Sequence, residues 1–281
     1  MAAHQLIVNA DDFGRTRGVS AGIIQAHQQG IVTSATAMMN FKGAAQDVQL
    51  AQTEAPKLGL GVHLVFTAGR PLLPVEWVSS LVDEHGYFLS QAAIQADPTR
   101  LSQDELRSEL KSQVTAFKNI VNHLPDHLDA HHFIHLHPHL FQVYLEVAES
   151  FKLPIRLPIP PEGSPLARVP SIAGNVPPAM VQQLVELDRE LLGAHPLKAP
   201  QYFESSFYDQ QATVEHLLQI FSGLPAGSTE LMTHPGLVDD DLKQGSGYNT
   251  QREQEVAILC DPQVQRRLTE LDIQLITFAD L

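Results

Sequence analysis

Cysteine occurs once in the 281 residues, as Cys260. A lone thiol excludes an intrachain disulfide and the paired thiolates of many structural zinc sites, and it fits a reducing compartment. Basic residues are scarce: 18 Lys and Arg against 32 Asp and Glu leave a formal charge of −14. Phosphate backbones and anionic membrane surfaces are bound by clustered cations, so neither nucleic acid nor an acidic bilayer is the expected partner. A neutral or amine-bearing substrate is easier to reconcile with this balance. Long hydrophobic runs are missing as well. No apolar stretch reaches the roughly 18 residues of a membrane span, and the N-terminus lacks the basic and apolar regions of a signal peptide. The cytoplasm is the expected location.

What is there is a hydrophobic content of 43% without any low-complexity tract, which describes a globular chain able to bury a large core. There is also an excess of histidine: 14 in all, seven of them between His123 and His139.

The organising stretch is Leu6-Ile7-Val8-Asn9-Ala10-Asp11-Asp12-Phe13-Gly14. Leu6 to Val8 is the size of a buried strand. The two carboxylates then fall where that strand is expected to end and curl into a loop. Adjacent side chains on an extended backbone face opposite ways, but at a curling strand end both can reach one pocket. An Asx turn or a helix N-cap explains the same pair without chemistry.

Strand-like and helix-like segments then alternate. Thr16 caps a helix from Gly18 to Gln29, Val32 to Met39 reads as a strand, and Phe41 to Ala55 as a helix. Leu58 to Phe66 is a third strand, with His63 among apolar neighbours. Residues 67–100 are irregular and contain the only tryptophan, Trp77; a loop of that length is usually functional or mobile. Ser102 to Asn122 is a helix with a capping box formed by Ser102 and Glu105. His127 to His135 forms a fourth strand with its outgoing loop, Pro138 to Phe151 a helix, and Leu153 to Pro158 a fifth strand carrying Arg156. Residues 159–200 form a Pro-rich insertion broken by one helix, Pro178 to Leu192. A helix over Ala212 to Ser222, a strand over Glu230 to His234, a helix over Arg252 to Leu259 and a strand over Leu275 to Phe278 complete the order. Repeated strand–helix units imply a parallel sheet with right-handed crossovers. The expectation is one irregular (β/α) TIM-like barrel over residues 1–281. Assembly as a homodimer is compatible with it.

In such barrels the chemistry gathers at the C-terminal ends of the strands. Asp11, Asp12, His63, His131, Arg156 and His234 all fall near predicted strand ends. Singly, each has a plain explanation: His63 as a core histidine, Arg156 as half of an ion pair, His234 as part of a turn before Pro235. Together they describe a site. One Asp and two His leave positions open for water on a divalent ion, and two imidazoles lean toward transition metals. Such an ion acidifies a water and polarises a carbonyl; the second Asp can take a proton, and a histidine across the pocket can return one.

The segments NADDFG, IVTSATAMMN, LGLGVHL, HLDAHHFIHLHP, PIRLP, ELMTHPG and REQEVAIL…ITFADL resemble the YdjC-like carbohydrate deacetylases over nearly the whole chain except roughly 159–200. The resemblance implies a deacetylase-type β/α barrel that removes acetyl groups from N-acetylated sugars or glycolipids with one divalent ion, Mg²⁺ or Zn²⁺ foremost and Mn²⁺ or Co²⁺ as alternatives. It implies Asp12, His63 and His131 as metal ligands, Asp11 as general base, His234 as general acid and Arg156 as the residue that orients Asp11. HLVFTAGRPLLP…LVDEHGYF is closer to the hopanoid-biosynthesis-associated branch than to the chitooligosaccharide branch. Ala130 stands where the family usually has Ser, and Phe133 where a third consecutive His is usual. Two other classes are carried alongside: a two-metal phosphoesterase drawing further ligands from Asp129, His132 and His135, and a catalytically silent metal or sugar binder.

Overall fold

Strand β1 (His4–Phe13) is the axis of the molecule. Here the structure is a computed structural model, and it describes residues 4–160 and 178–281. β1 pairs in parallel with β2 (Ser34–Ala37) on one side and with β6 (Gly227–Thr233) along its other edge. β3 (Gly59–Leu64), β4 (Leu128–Ala130) and β5 (Tyr202–Glu204) extend the sheet in the order β4-β3-β2-β1-β6-β5. β7 (Ile273–Leu275) takes His4 to Leu6 of β1, before β2 begins its own pairing at Asn9. Every pairing is parallel, and the connections carry helices, so the sheet curls into an irregular (β/α) barrel.

β1 is buried on both faces from Leu6 onward, as a strand covered by helices outside and by side chains inside must be. Leu6, Val8 and Ala10 meet the aliphatic core. The alternate residues Asn9 and Asp11, with Thr36, His63, Asp129 and Glu230 of neighbouring strands, are buried polar groups. The interior is therefore ionic around Asn9 and Asp11, whereas Ile7, on the same face of β1, packs with Ile276 and Phe278.

The helices follow from local chemistry. α1 (Arg17–Gln29) begins where the Thr16 side chain accepts from Val19 N, and it lies so close to the loop after β6 that a Cβ on Gly22 would meet Gly236 Cα at 2.5 Å. α2 (Ala44–Glu54) and α4 (Gln103–Val121) cover the β2–β3 side. α4 buries Leu106, Leu110, Val114, Phe117 and Val121, one stripe at helical spacing, and stops at Asn122 in the left-handed region, φ +62°. Between β3 and α4 lies the short α3 (Gln91–Ala96). α5 (Pro138–Phe151), α6 (Pro178–Gly193), α7 (Val214–Ser222), α8 (Asp240–Gly245), α9 (Thr250–Leu259) and α10 (Pro262–Glu270) complete the described set.

Several expectations need correction. β1 does not end at Val8: it runs through both aspartates to Phe13, with an irregularity between Ala10 and Phe13. Leu153 to Pro158 is not a strand. Ile155 makes one bridge to Leu128 and its N–H goes to Lys198 O, so the two prolines at 154 and 158 leave it without a ladder. The last strand is Ile273–Leu275, and Phe278 lies in a 3₁₀ turn. The capping box at α4 is half formed. Ser102 accepts from Glu105 N, but the Glu105 carboxylate accepts from Ser80 N at 2.7 Å. With Glu109, which accepts from Leu72 N and Leu73 N at 3.0 Å each, it pins the 67–100 excursion to α4. Within 67–100, expected to be irregular, the structure forms the helix α3, and β5, α8 and α10 are likewise additions to the expected elements. Of the 159–200 insertion, residues 161–177 lie outside the described residues. Among those described, no helix is long and apolar enough to cross a membrane.

Candidate metal centre

Two neighbours in sequence share one cavity because of the irregularity in β1. Asp11 points into the barrel with Asn9, as strand alternation dictates. Asp12 then takes φ +70° and Gly14 φ +79°. Asp is among the few side chains that tolerate the left-handed region. Without that turn of the backbone Asp12 would face the helices.

Asp12 is 1% exposed, and its Oδ1 is buried with no hydrogen-bond partner among the described residues. That oxygen lies 3.2 Å from His131 Nδ1 and 3.5 Å from His63 Nε2, and the two ring nitrogens are 3.2 Å apart. One donor atom from each residue falls within 4.8 Å of the others. An unsatisfied carboxylate oxygen facing two imidazole nitrogens is the environment a divalent cation completes, so the residues fit such an ion.

The second nitrogen of His63 is already used. Nδ1 lies 2.7 Å from Asp129 Oδ1, a pairing that follows from sheet register, where His63 is opposite Asp129. Thr36 Oγ1 donates to Asp129 Oδ2 at 2.9 Å. A carboxylate behind a ligating histidine fixes its tautomer and ring plane. Burial alone would lower the His63 pKa, but Asp129 outweighs it and lifts the group to about 8. His131 is lowered by burial, which outweighs its contact with Asp12. Burial would raise Asp12, yet Arg252 and His131 hold it well below the usual carboxylate range.

Arg156 is 0% exposed and occupies the barrel axis. Its guanidinium donates to both oxygens of Asp11 at 2.7 and 2.6 Å and through Nε to Glu230 at 2.7 Å, and it lies 3.0 Å from Asp129 Oδ2. Burial disfavours its charge, but Asp11, Glu230 and Asp129 together hold it well above the ordinary range. Glu230 is pushed up to about 7 by burial against the pull of Arg156. A second acidic grouping, Asp11, His63 and Asp129, is thus bridged by this guanidinium, which stands where another cation would have to sit.

His234 follows the last residue of β6, and its Nε2 lies 3.8 Å from Asp11 Oδ2. Burial pulls its pKa down to about 4. It lies against two stacked tyrosines, Tyr208 and Tyr248, whose rings are 4.5 Å apart and nearly parallel. Asp11, Asp12, His63, His131 and His234 all line one cavity of about 370 Å³, together with Arg15, Gln91, Tyr208 and Tyr248 on its rim. The structure therefore brings all six sequence-derived candidates together: five on the cavity wall, and Arg156 directly beneath Asp11.

Of the residues offered for a two-metal site, His132 lines the cavity with its ring 3.7 Å from that of His131, whereas Asp129 and His135 do not line it. Asp129 stands behind His63, His132 Nδ1 faces Thr67 Oγ1 at 3.0 Å, and buried His135 packs near Tyr144 and Phe133. Residues outside the six candidates also adjoin the site: Arg252 is paired with Asp12 Oδ2, Tyr248 lines the cavity, and Glu255 accepts from His234 N at 2.5 Å. Asp129 carried a readable signal. It sits two residues before His131 on a strand and so shares its face.

Residues 5–270 match the model of the YdjC-like protein family. The chain belongs to the YdjC-like family. Carbohydrate deacetylase of Thermoanaerobacter pseudethanolicus is 33% identical over 278 residues, covering 98% of each chain. Chitooligosaccharide deacetylase of Proteus mirabilis is 33% identical over 282 residues, covering 99% of each. Among solved structures, an Enterococcus faecalis protein provisionally assigned to cellobiose-phosphate cleavage superposes with a TM-score of 0.85 at 32% identity, covering 99% of both chains. A lactam utilization protein of Thermus thermophilus, at 14% identity and a TM-score of 0.53 over 96% of this chain, shares the fold alone. The YdjC-like match excludes only the first four and last eleven residues, so it spans strands β2 to β6, nearly all of β1 and every residue of the site, and stops short of β7.

Proposed function

We propose that this YdjC-like protein is a carbohydrate deacetylase, a hydrolase of a carbon–nitrogen bond that is not a peptide bond, acting on the acetamide of an N-acetylated sugar. The observation that carries this reading is the division of the two adjacent carboxylates. Asp12 offers an unsatisfied oxygen to two imidazoles, while both oxygens of Asp11 are taken by the Arg156 guanidinium. Asp12, His63 and His131 would hold one divalent ion, which when bound supplies Lewis acidity and a more acidic water. Asp129 orients His63 for that role.

The remaining work is proton transfer. Asp11 accepts the proton of the attacking water, with Arg156 fixing both of its oxygens so that the carboxylate cannot turn away. His234, whose Nε2 lies 3.8 Å from Asp11 Oδ2, takes up the proton that Asp11 has accepted and delivers it to the departing amine nitrogen, so that both side chains end in the state in which they began. Acetamide and water are consumed; acetate and the free amine leave. The cavity volume lies in the range of small-molecule sites, and its rim of tyrosines, Arg15 and Gln91 suits a polar ring with apolar faces.

The test is acetate release from N-acetylglucosamine, chitooligosaccharides and an amphiphilic N-acetylglucosaminide, after metal has been stripped and Mg²⁺, Mn²⁺, Co²⁺ or Zn²⁺ restored. Metal-dependent release is expected. One bound ion per chain with no acetate from any substrate would count against the reading.

A further inference from the structure

We propose that Arg252 is a positioning residue for Asp12, and that α9 holds the metal-ligating and proton-delivering sides of the site in one register. The inference rests on the metal reading above and adds a device to it. Arg252 and Glu255 are three residues apart on α9, hence on one helix face, and they are 2% and 0% exposed. Arg252 pairs through one nitrogen with Asp12 Oδ2, donates through Nε to Tyr248 O at 3.1 Å, and reaches toward His234 O at 3.5 Å. Glu255 accepts from His234 N at 2.5 Å and from the Tyr248 hydroxyl at 2.5 Å. The main chain of His234 is thus approached from both its N–H and its C=O by side chains of one helical turn, and the same turn holds Asp12.

The consequence for Asp12 is geometric. Its Oδ2 is committed to the guanidinium, so only Oδ1 is presented to His63 and His131. A carboxylate in that state would offer a divalent ion one oxygen rather than two. Freed from Arg252, Asp12 can turn both oxygens to the ion. Glu255 acts on the other side alone: it seats His234 and does not touch the ligand set.

Full-length protein loaded with Co²⁺ reports this directly, because its visible absorption depends on coordination number and geometry. Wild-type protein is expected to bind one Co²⁺ per chain. Arg252→Met is expected to retain Co²⁺ with an altered spectrum and a kcat about 10–100-fold lower, the usual loss when an outer-shell partner of a ligand is removed. Arg252→Gln, which keeps polar atoms in the same space, serves where the Met variant does not fold and is expected to shift the spectrum likewise. Arg252→Lys should move it back toward wild type. Glu255→Gln should lower kcat with a wild-type spectrum. An Arg252→Met or Arg252→Gln spectrum indistinguishable from wild type overturns this inference and leaves the metal reading standing. Wild-type protein that binds no Co²⁺ overturns both.

Discussion

Replacing Arg156 by Met would remove the guanidinium shared by Asp11, Asp129 and Glu230, all of them 3% exposed or less. Taking one partner out of a buried ionic cluster costs about 3–5 kcal/mol, because the carboxylates left behind cannot regain water. Glu230 can relieve part of this by holding a proton, since burial already lifts it to about 7. Asp129 retains His63 and Thr36. The cost therefore falls mainly on Asp11, whose remaining neighbours include the Asn9 amide at 2.9 Å, His234 at 3.8 Å and a ring nitrogen of His63 within 4.8 Å. Set against a total stability of roughly 5–15 kcal/mol, a loss of that size should lower Tm by about 10 °C or more while leaving a folded population at low temperature. Activity should fall further than folding does, by about 10²–10⁴-fold, because a general base without its orienting partner loses its geometry. Arg156→Lys, which keeps the charge but not the planar fork, should recover stability more than turnover. Thermal unfolding by circular dichroism and acetate release well below the variant's Tm measure the two effects separately. An Arg156→Met protein with wild-type Tm and wild-type turnover would refute both the burial argument and the role given to Asp11.

Three further outcomes follow from the same geometry. Asp129→Asn should weaken divalent-ion binding about 10–100-fold by freeing the His63 ring, measured by calorimetric titration; unchanged affinity would mean the ring is fixed by packing alone. Glu230 has a raised folded-state pKa, so the folded chain keeps a proton that the unfolded chain releases between pH 4.5 and about 7. Stability is therefore expected to fall as pH rises through that window and to level above it, by up to about 3 kcal/mol, and Glu230→Gln should flatten that fall in a pH series of Tm values. Gly22→Ala should destabilise by about 1–3 kcal/mol, since its Cβ has no room against Gly236; a neutral effect in chemical denaturation would show that the loop bearing His234 yields freely.

What could be read in the sequence was what local chemistry decides. The Leu6–Val8 run, the Thr16 cap and the apolar stripe of α4 each carry their own instructions, and they recur in the fold as β1, α1 and α4. What could not be read depended on distant partners. β1 continues past Asp11 and Asp12 because β2 pairs with it at Ala10 and again at Phe13, and a bulge with a left-handed aspartate is not visible in composition. Glu105 left its capping role because Ser80, 25 residues away, offered an unsatisfied N–H. Arg156 was placed near the site by its neighbours in sequence, but its three carboxylate partners come from β1, β4 and β6. Arg252 heads the REQEVAIL segment, but the sequence does not say that it faces the site, because a charged residue near the start of a polar helix ordinarily faces water. Only the approach of α9 to the end of β1 turns it inward.

The account stands or falls on the separation between Asp12, which faces the ion, and Asp11, which handles the proton. Asp11→Asn, assayed for bound metal and for acetate release on the same preparation, tests that separation directly. The account predicts one ion per chain, as in wild type, with turnover reduced about 10²–10⁴-fold. Loss of the ion in Asp11→Asn, or turnover that persists with the ion in place, would contradict it.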